Sequence, residues 1–172
     1  MKHNIILIGF MGSGKTSVGK SLAERMSYQF HDMDQQLESR AGDTINQIFA
    51  VHGEEYFRNM ETKLLQEMST CTLHTVVSTG GGLPLREQNR KLIKEMGYVI
   101  YLKASVKTTV ERLKGDSTRP LLRGEELEQK VKRMLELRDP IYENTAHKII
   151  VTDDKQIDTI VHQIMEAYLK QS

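Results

Sequence analysis

Residues 4–16 read Asn4-Ile5-Ile6-Leu7-Ile8-Gly9-Phe10-Met11-Gly12-Ser13-Gly14-Lys15-Thr16. The run Asn4–Ile8 is short and rich in β-branched residues, which predicts a buried strand. Gly9 to Thr16 then fit GxxxxGK[ST] at every fixed position. Val18, Leu22 and Met26 follow at helical spacing, so a helix is predicted to begin near Lys15. Strand, glycine turn and helix together give the pattern its chemistry. Gly9, Gly12 and Gly14 tolerate left-handed or close-approach backbone, so successive N–H groups can wrap a diphosphate. The helix N-terminus adds unpaired donors and partial positive charge. In this setting Lys15 reaches the β- and γ-phosphates, and the Thr16 hydroxyl holds Mg²⁺.

A chain of 172 residues suits one compact domain and is too short for two ordinary ones. With 38% hydrophobic and 27% charged residues it reads as globular rather than disordered. A formal net charge of +1 and the absence of a basic stripe argue against a nucleic-acid partner. Cys71 is the one cysteine, so an intramolecular disulfide or a cysteine zinc cluster is ruled out. It is expected to be a buried thiol or a loop residue without a catalytic role. The apolar start runs straight into the glycine turn, and so reads as a strand and not as a signal peptide or membrane span. These features lead to the expectation of a cytoplasmic, membrane-free monomer.

Four further β-like runs follow at Gln29–His31, Thr75–Ser78, Tyr98–Leu102 and His147–Val151. Amphipathic helical patterns lie between them, near Lys15–Ser27, Gln35–Ala41, Thr44–Ala50, Glu54–Thr70, Arg86–Glu95, Val106–Lys114, Glu125–Asn144 and Gln156–Lys170. Such alternation predicts an α/β fold, a parallel sheet with helices on both faces. Gly115–Gly124 interrupts two helices with turn formers and two arginines. It reads as a lid of about residues 112–124 over a nucleotide, or as an ordinary surface loop.

Ligands of open α/β sheets sit beyond the carboxyl ends of the strands. The second strand ends in Asp32-Met33-Asp34, and residues two apart on a strand share a face. One carboxylate can then position a Mg²⁺-bound water while the other holds an attacking hydroxyl. Alternatively, Asp34 is the N-cap of the helix Gln35–Ala41. The third strand runs into Gly80-Gly81-Gly82, suited to a ligand that touches backbone N–H groups, or to a flexible turn. Arg58 and Glu61, three apart on a helix, can form a surface ion pair. Phe49 and Phe57 instead suggest an apolar wall beside Arg58, where a guanidinium can grip a carboxylate. Arg138 and Tyr142 share a helical face, and Arg119 lies in the lid segment, where closure can bring a cation to a transferring phosphoryl group.

Taken in order, GFMGSGKTSVGK, DMD, FRNME, STGGG, TRPLL and RDPIYE resemble the shikimate kinase family over nearly the whole chain. The resemblance implies ATP-dependent phosphorylation of the shikimate 3-hydroxyl, and a nucleoside-monophosphate-kinase-like fold, a three-layer P-loop kinase with a five-stranded parallel sheet of order 2-3-1-4-5. It implies one domain, 1–172, with a substrate-binding helical segment at about 33–61. Nucleotide contacts are implied for Gly12, Ser13, Gly14, Lys15, Thr16 and Ser17, with Asp32 acting on the metal through water. Asp34 matches the proposed base; Arg58 and Arg138 match the carboxylate clamp. Gly80, Gly81 and Gly82 match the substrate glycines, Glu61 the support of the substrate arginine, and Arg119 the lid arginine. Arg112 matches an arginine that stacks on adenine. The segment Thr152-Asp153-Asp154-Lys155 matches the second adenine loop, with contacts expected through its backbone. Met33 departs from the small hydroxyl residue common between the aspartates, and is expected to touch the neighbouring helix. Two rival readings are a same-fold kinase acting on gluconate or a nucleoside monophosphate, and a nucleotide-dependent switch.

Overall fold

The computed structural model describes residues 3–115 and 125–171. Five parallel strands, β1 (Asn4–Ile8), β2 (Gln29–Asp32), β3 (Thr75–Ser78), β4 (Gly97–Lys103) and β5 (Lys148–Val151), lie in the order β2-β3-β1-β4-β5. This is the predicted order. Helices cover both faces, as parallel strands require. They are α1 (Lys15–Met26), α2 (Met33–Ala41), α3 (Ile45–His52), α4 (Glu54–Cys71), α5 (Glu87–Met96), α6 (Val106–Lys114), α7 (Glu125–Thr145) and α8 (Ile157–Leu169).

The central strand shows why the sheet is sandwiched. Ile6 and Ile8 enter a core shared with α2, α4, α5 and α7, through residues such as Leu37, Leu65, Ile93 and Leu135. Ile5 and Leu7 point the other way, into a core with Val18 and Leu22 of α1 and Ile160 and Ile164 of α8. All five residues of β1 are buried. Met33 has no exposed surface and packs in the first core with Leu37, Ile48 and Phe57, which meets the expectation for its long side chain. Among the described residues no helix is long and apolar enough to cross a membrane.

Three local details depart from the sequence reading. Helix α2 starts at Met33 and not at Gln35, because the Asp32 side chain caps it by accepting from the Gln35 N–H. Asp34 is therefore not the N-cap; it lies in the first helical turn. A 3₁₀ turn, Leu83–Leu85, follows the glycines, with Pro84 fixing its start. Cys71 is exposed at the end of α4 rather than buried or in a loop.

Asn4 closes the sheet at the end away from the glycine turn. Its amide donates to the carbonyls of Met96 (3.0 Å) and Thr72 (3.1 Å) and accepts from the Thr75 N–H (3.1 Å). One buried side chain thus ties β1 to the chain entering β3 and β4. Asn4→Ala would strand these buried backbone groups and is expected to cost about 2–4 kcal/mol. The check is a lower urea midpoint at unchanged m-value; an unshifted midpoint contradicts the assignment.

Candidate active site

Strand register brings the chemistry together. Leu7 pairs with Ser78, and Ser78 with Asp32, so β1, β3 and β2 end level. The Thr79 N–H and hydroxyl both donate to the Leu7 carbonyl, at 3.1 and 3.0 Å, holding the two exits side by side. The phosphate loop, the three glycines and the aspartate pair therefore leave the sheet along one edge.

In the loop, Gly9, Gly12 and Gly14 have φ of 148°, 74° and 92°, as the turn demands of glycine. Gly14 caps α1, whose first turn carries no acidic residue to offset the helix dipole. The Lys15 ammonium lies over the loop, donating to the carbonyls of Gly9 and Phe10 at 2.9 Å each. The Ser13 hydroxyl is buried with no hydrogen-bond partner among the described residues, a donor available to a phosphate oxygen. The Thr16 hydroxyl donates to Asp32 at 2.7 Å while the other Asp32 oxygen caps α2. One hydroxyl and one carboxylate are hard oxygen ligands that suit Mg²⁺. Among the described residues no three His, Cys, Asp or Glu side chains converge. The protein would thus supply part of the ion's shell, with phosphate and water oxygens supplying the rest.

Across the same cleft, α4 presents Arg58 and Glu61. They do not form a surface pair. The Glu61 side chain is 1% exposed, and one of its oxygens accepts from Arg58 at 2.6 Å. Glu54 holds the guanidinium from its other side, at 3.1 and 3.3 Å. The rings of Phe49 and Phe57 lie 5.9 and 5.5 Å from it, forming the apolar wall read from the sequence. Burial pushes the Glu61 carboxyl up to about 7, against the opposing pull of Arg58 and with the help of nearby Asp34. Burial works against the Arg58 charge, but Glu61 and then Glu54 outweigh it and hold the guanidinium above its ordinary value.

Two of the three glycines, Gly80 and Gly82, leave space for neighbouring side chains. None of the three has positive φ. A Cβ at Gly82 would fall 2.2 Å from Arg58 Nη1, and one at Gly80 would fall 2.6 Å from Glu61 and 2.9 Å from Asp34. Tyr142 donates to the Gly81 carbonyl at 2.6 Å. Arg138, from α7, places its guanidinium 5.6 Å from the Phe10 ring. One cavity of about 710 Å³ unites the set, with Lys15, Thr16, Ser17 and Asp32 at one side and Asp34, Arg58 and Arg138 at the other.

Arg112 lies beside the phosphate loop, donating to the Gly12 carbonyl (3.1 Å) and to the Thr152 hydroxyl and carbonyl (3.2 and 3.3 Å). The Asp153 carboxylate is occupied by Ser105, accepting from its N–H (3.0 Å) and its hydroxyl (2.6 Å). Arg119, and all of the expected lid beyond residue 115, lie outside the described residues. Sequence reading assigned no role to Tyr142 or Phe10. The i, i+4 spacing of Arg138 and Tyr142 was the available signal for the first; for Phe10, inside the loop pattern, there was none.

A family model described as shikimate kinase matches residues 11–169. A shikimate kinase of Thioalkalivibrio sulfidiphilus is 42% identical over 166 residues, 96% of this chain and 86% of that protein. One of Caldicellulosiruptor bescii is 40% identical, covering 92% and 93%. The solved shikimate kinase from Acinetobacter baumannii in complex with shikimate superposes with a TM-score of 0.92 at 38% identity, over 100% of this chain and 97% of that one. A gluconokinase from Sinorhizobium meliloti reaches a TM-score of 0.61 at 20% identity, over 98% and 92%, and so shares the fold alone.

The Glu61 carboxyl gives a test of the site independent of any ligand. Its value in the folded chain lies above the ordinary 4.5, so its stabilisation is complete below that pH and is lost as pH rises through about 7. Glu61→Gln keeps the shape and does not ionise. The wild type should therefore lose stability relative to this variant between pH 4.5 and about 8. Urea midpoints of the two proteins that stay parallel over that range would contradict the buried-acid description.

Proposed function

The chain belongs to the shikimate kinase family, and we propose on that premise that it transfers the γ-phosphoryl group of ATP to the 3-hydroxyl of shikimate, releasing ADP and shikimate 3-phosphate. The observation that carries the reading is the one cleft lined by a phosphate loop, two arginines and the Asp34 carboxylate. Phosphoryl transfer is dominated by positioning and charge stabilisation. Lys15 and the loop N–H groups hold the β- and γ-phosphates. Thr16 and Asp32 would hold Mg²⁺, which offsets phosphate charge when bound. Arg58 and Arg138 grip the carboxylate of the ring acid, whose apolar ring carbons meet Phe49 and Phe57. Anchored there, shikimate directs a hydroxyl to Asp34, which orients it and takes its proton late. Arg119 is assigned to the transferring phosphate on family resemblance.

Arg112 is assigned to adenine. The assignment rests on family resemblance and on its place beside the phosphate loop, bonded to Gly12 and Thr152. A cytoplasmic monomer acting on small molecules, without nucleic acid or membrane, fits one free cysteine and a cleft formed within one chain.

Gluconate is the closest competing acceptor, since a gluconokinase shares the fold. Both acids offer the arginines a carboxylate, but the apolar wall of Phe49 and Phe57 favours the ring carbons of shikimate over an open chain hydroxylated at every carbon. ADP release should depend strongly on shikimate and not on gluconate; release equal with either, or with neither, would contradict the proposal. Lys15→Met should lower turnover by roughly 100-fold or more with the fold retained. Arg58→Ala should raise the shikimate Kd roughly 10- to 100-fold, measured by calorimetry, because the carboxylate loses a charged two-pronged partner.

A further inference from the structure

Tyr142 stands one helical turn beyond Arg138 on α7 and is fully buried. Its ring packs 5.1 Å from that of Tyr101. A buried phenol needs a partner for its hydroxyl, and here the hydroxyl donates to the Gly81 carbonyl at 2.6 Å. Arg138 projects from the same helix four residues earlier and lines the cavity together with Gly81 and Gly82. Burial keeps the phenol protonated, its pKa pushed up to about 12 against the pull of Arg138, so it remains a donor to Gly81 at every working pH.

Gly81 lies beside the phosphate loop. A Cβ there would lie 3.4 Å from the Gly9 carbonyl, 3.6 Å from the Met11 nitrogen and 3.8 Å from the Tyr142 oxygen. The middle glycine thus lies in ordinary contact with the phosphate loop, and its carbonyl is bonded to the phenol. Its neighbour Gly82 is packed flat against the Arg58 guanidinium. One hydroxyl therefore connects the helix that carries one arginine with the loop that seats the other.

We propose that Tyr142 is a positioning residue for the acceptor: its hydroxyl ties α7, the helix that carries Arg138, to the Gly81 loop, and so sets the spacing of the two arginines that grip the carboxylate. This rests on the function proposed above. Tyr142 need not touch the substrate, and its role is separable from the packing of its ring. The donor side is secured independently, by the loop's own bonds from Ser13 N–H to Phe10, from Val18 N–H to Gly14 and from Lys15 to Gly9 and Phe10.

Tyr142→Phe removes the oxygen and keeps the ring. It should raise the KM for shikimate roughly 5- to 20-fold while the KM for ATP stays within about twofold. Tyr168→Phe, which deletes a hydroxyl bonded to Tyr28 on the opposite face of the sheet, should leave both constants within about twofold. In an Arg138→Ala background the effect of Tyr142→Phe on shikimate should largely vanish, since the group it positions is gone. An unchanged shikimate KM, an equal rise for both substrates, or an undiminished effect without Arg138 would each overturn the proposal. A wild-type chain that phosphorylates no shikimate would instead overturn the assignment of function.

Discussion

The ladder Leu7–Ser78–Asp32 is the constraint on which the site depends. Side chains on a strand alternate between faces, so a slip of one residue in either pairing would turn an entire strand's apolar set to the wrong core. The two cores fix register because β1 feeds both, with Ile6 and Ile8 on one side and Ile5 and Leu7 on the other. Once register is fixed, the chain exits after Ile8, Ser78 and Asp32 are level. The phosphate loop, the glycine loop and the aspartates must then share one crevice. The distance between the phosphate loop and the Arg58 side of the crevice is set by burial of aliphatic side chains, and the polar residues inherit it.

Within the crevice, the acceptor half relies on a charge that is costly to bury. Removing Glu61 from water opposes its ionisation, and the nearby Arg58 only partly compensates. Such a pair contributes little to net stability, but it orients the guanidinium. Glu54 on the other edge and two phenylalanine rings restrict it further. Gly82 lets the loop backbone lie against this fixed cation, and Gly80 does the same for Glu61 and Asp34. The outer two glycines of the run thus reflect crowding by charged side chains, and none of the three has a positive φ.

Much of this was legible in the chain. Strand and helix positions follow from apolar periodicity and fall within about two residues of the observed elements. The phosphate loop is legible because its chemistry is local: glycine conformations, helix start and Lys15 all lie within eight residues. Contacts between distant segments were not legible. The choice of Asp32 over Asp34 as helix cap depends on Thr16 and Gln35 together. His147, read as strand, lies just before β5 and accepts from the Val99 N–H through its ring nitrogen, a contact that strand propensity does not encode. The occupation of Asp153 by Ser105 spans 48 positions. The burial of Glu61 depends on the whole of α4 docking on the sheet, which a helical i, i+3 pair cannot report.

The exposed end of α4 has a practical consequence. Cys71 is the sole thiol, and the chain contains no tryptophan. Arg58 sits on the same helix, about 20 Å away along its axis. The molecule therefore offers one position for maleimide coupling and an indole-free spectral background. A dye attached there rides on the rod that carries Arg58 without entering the crevice.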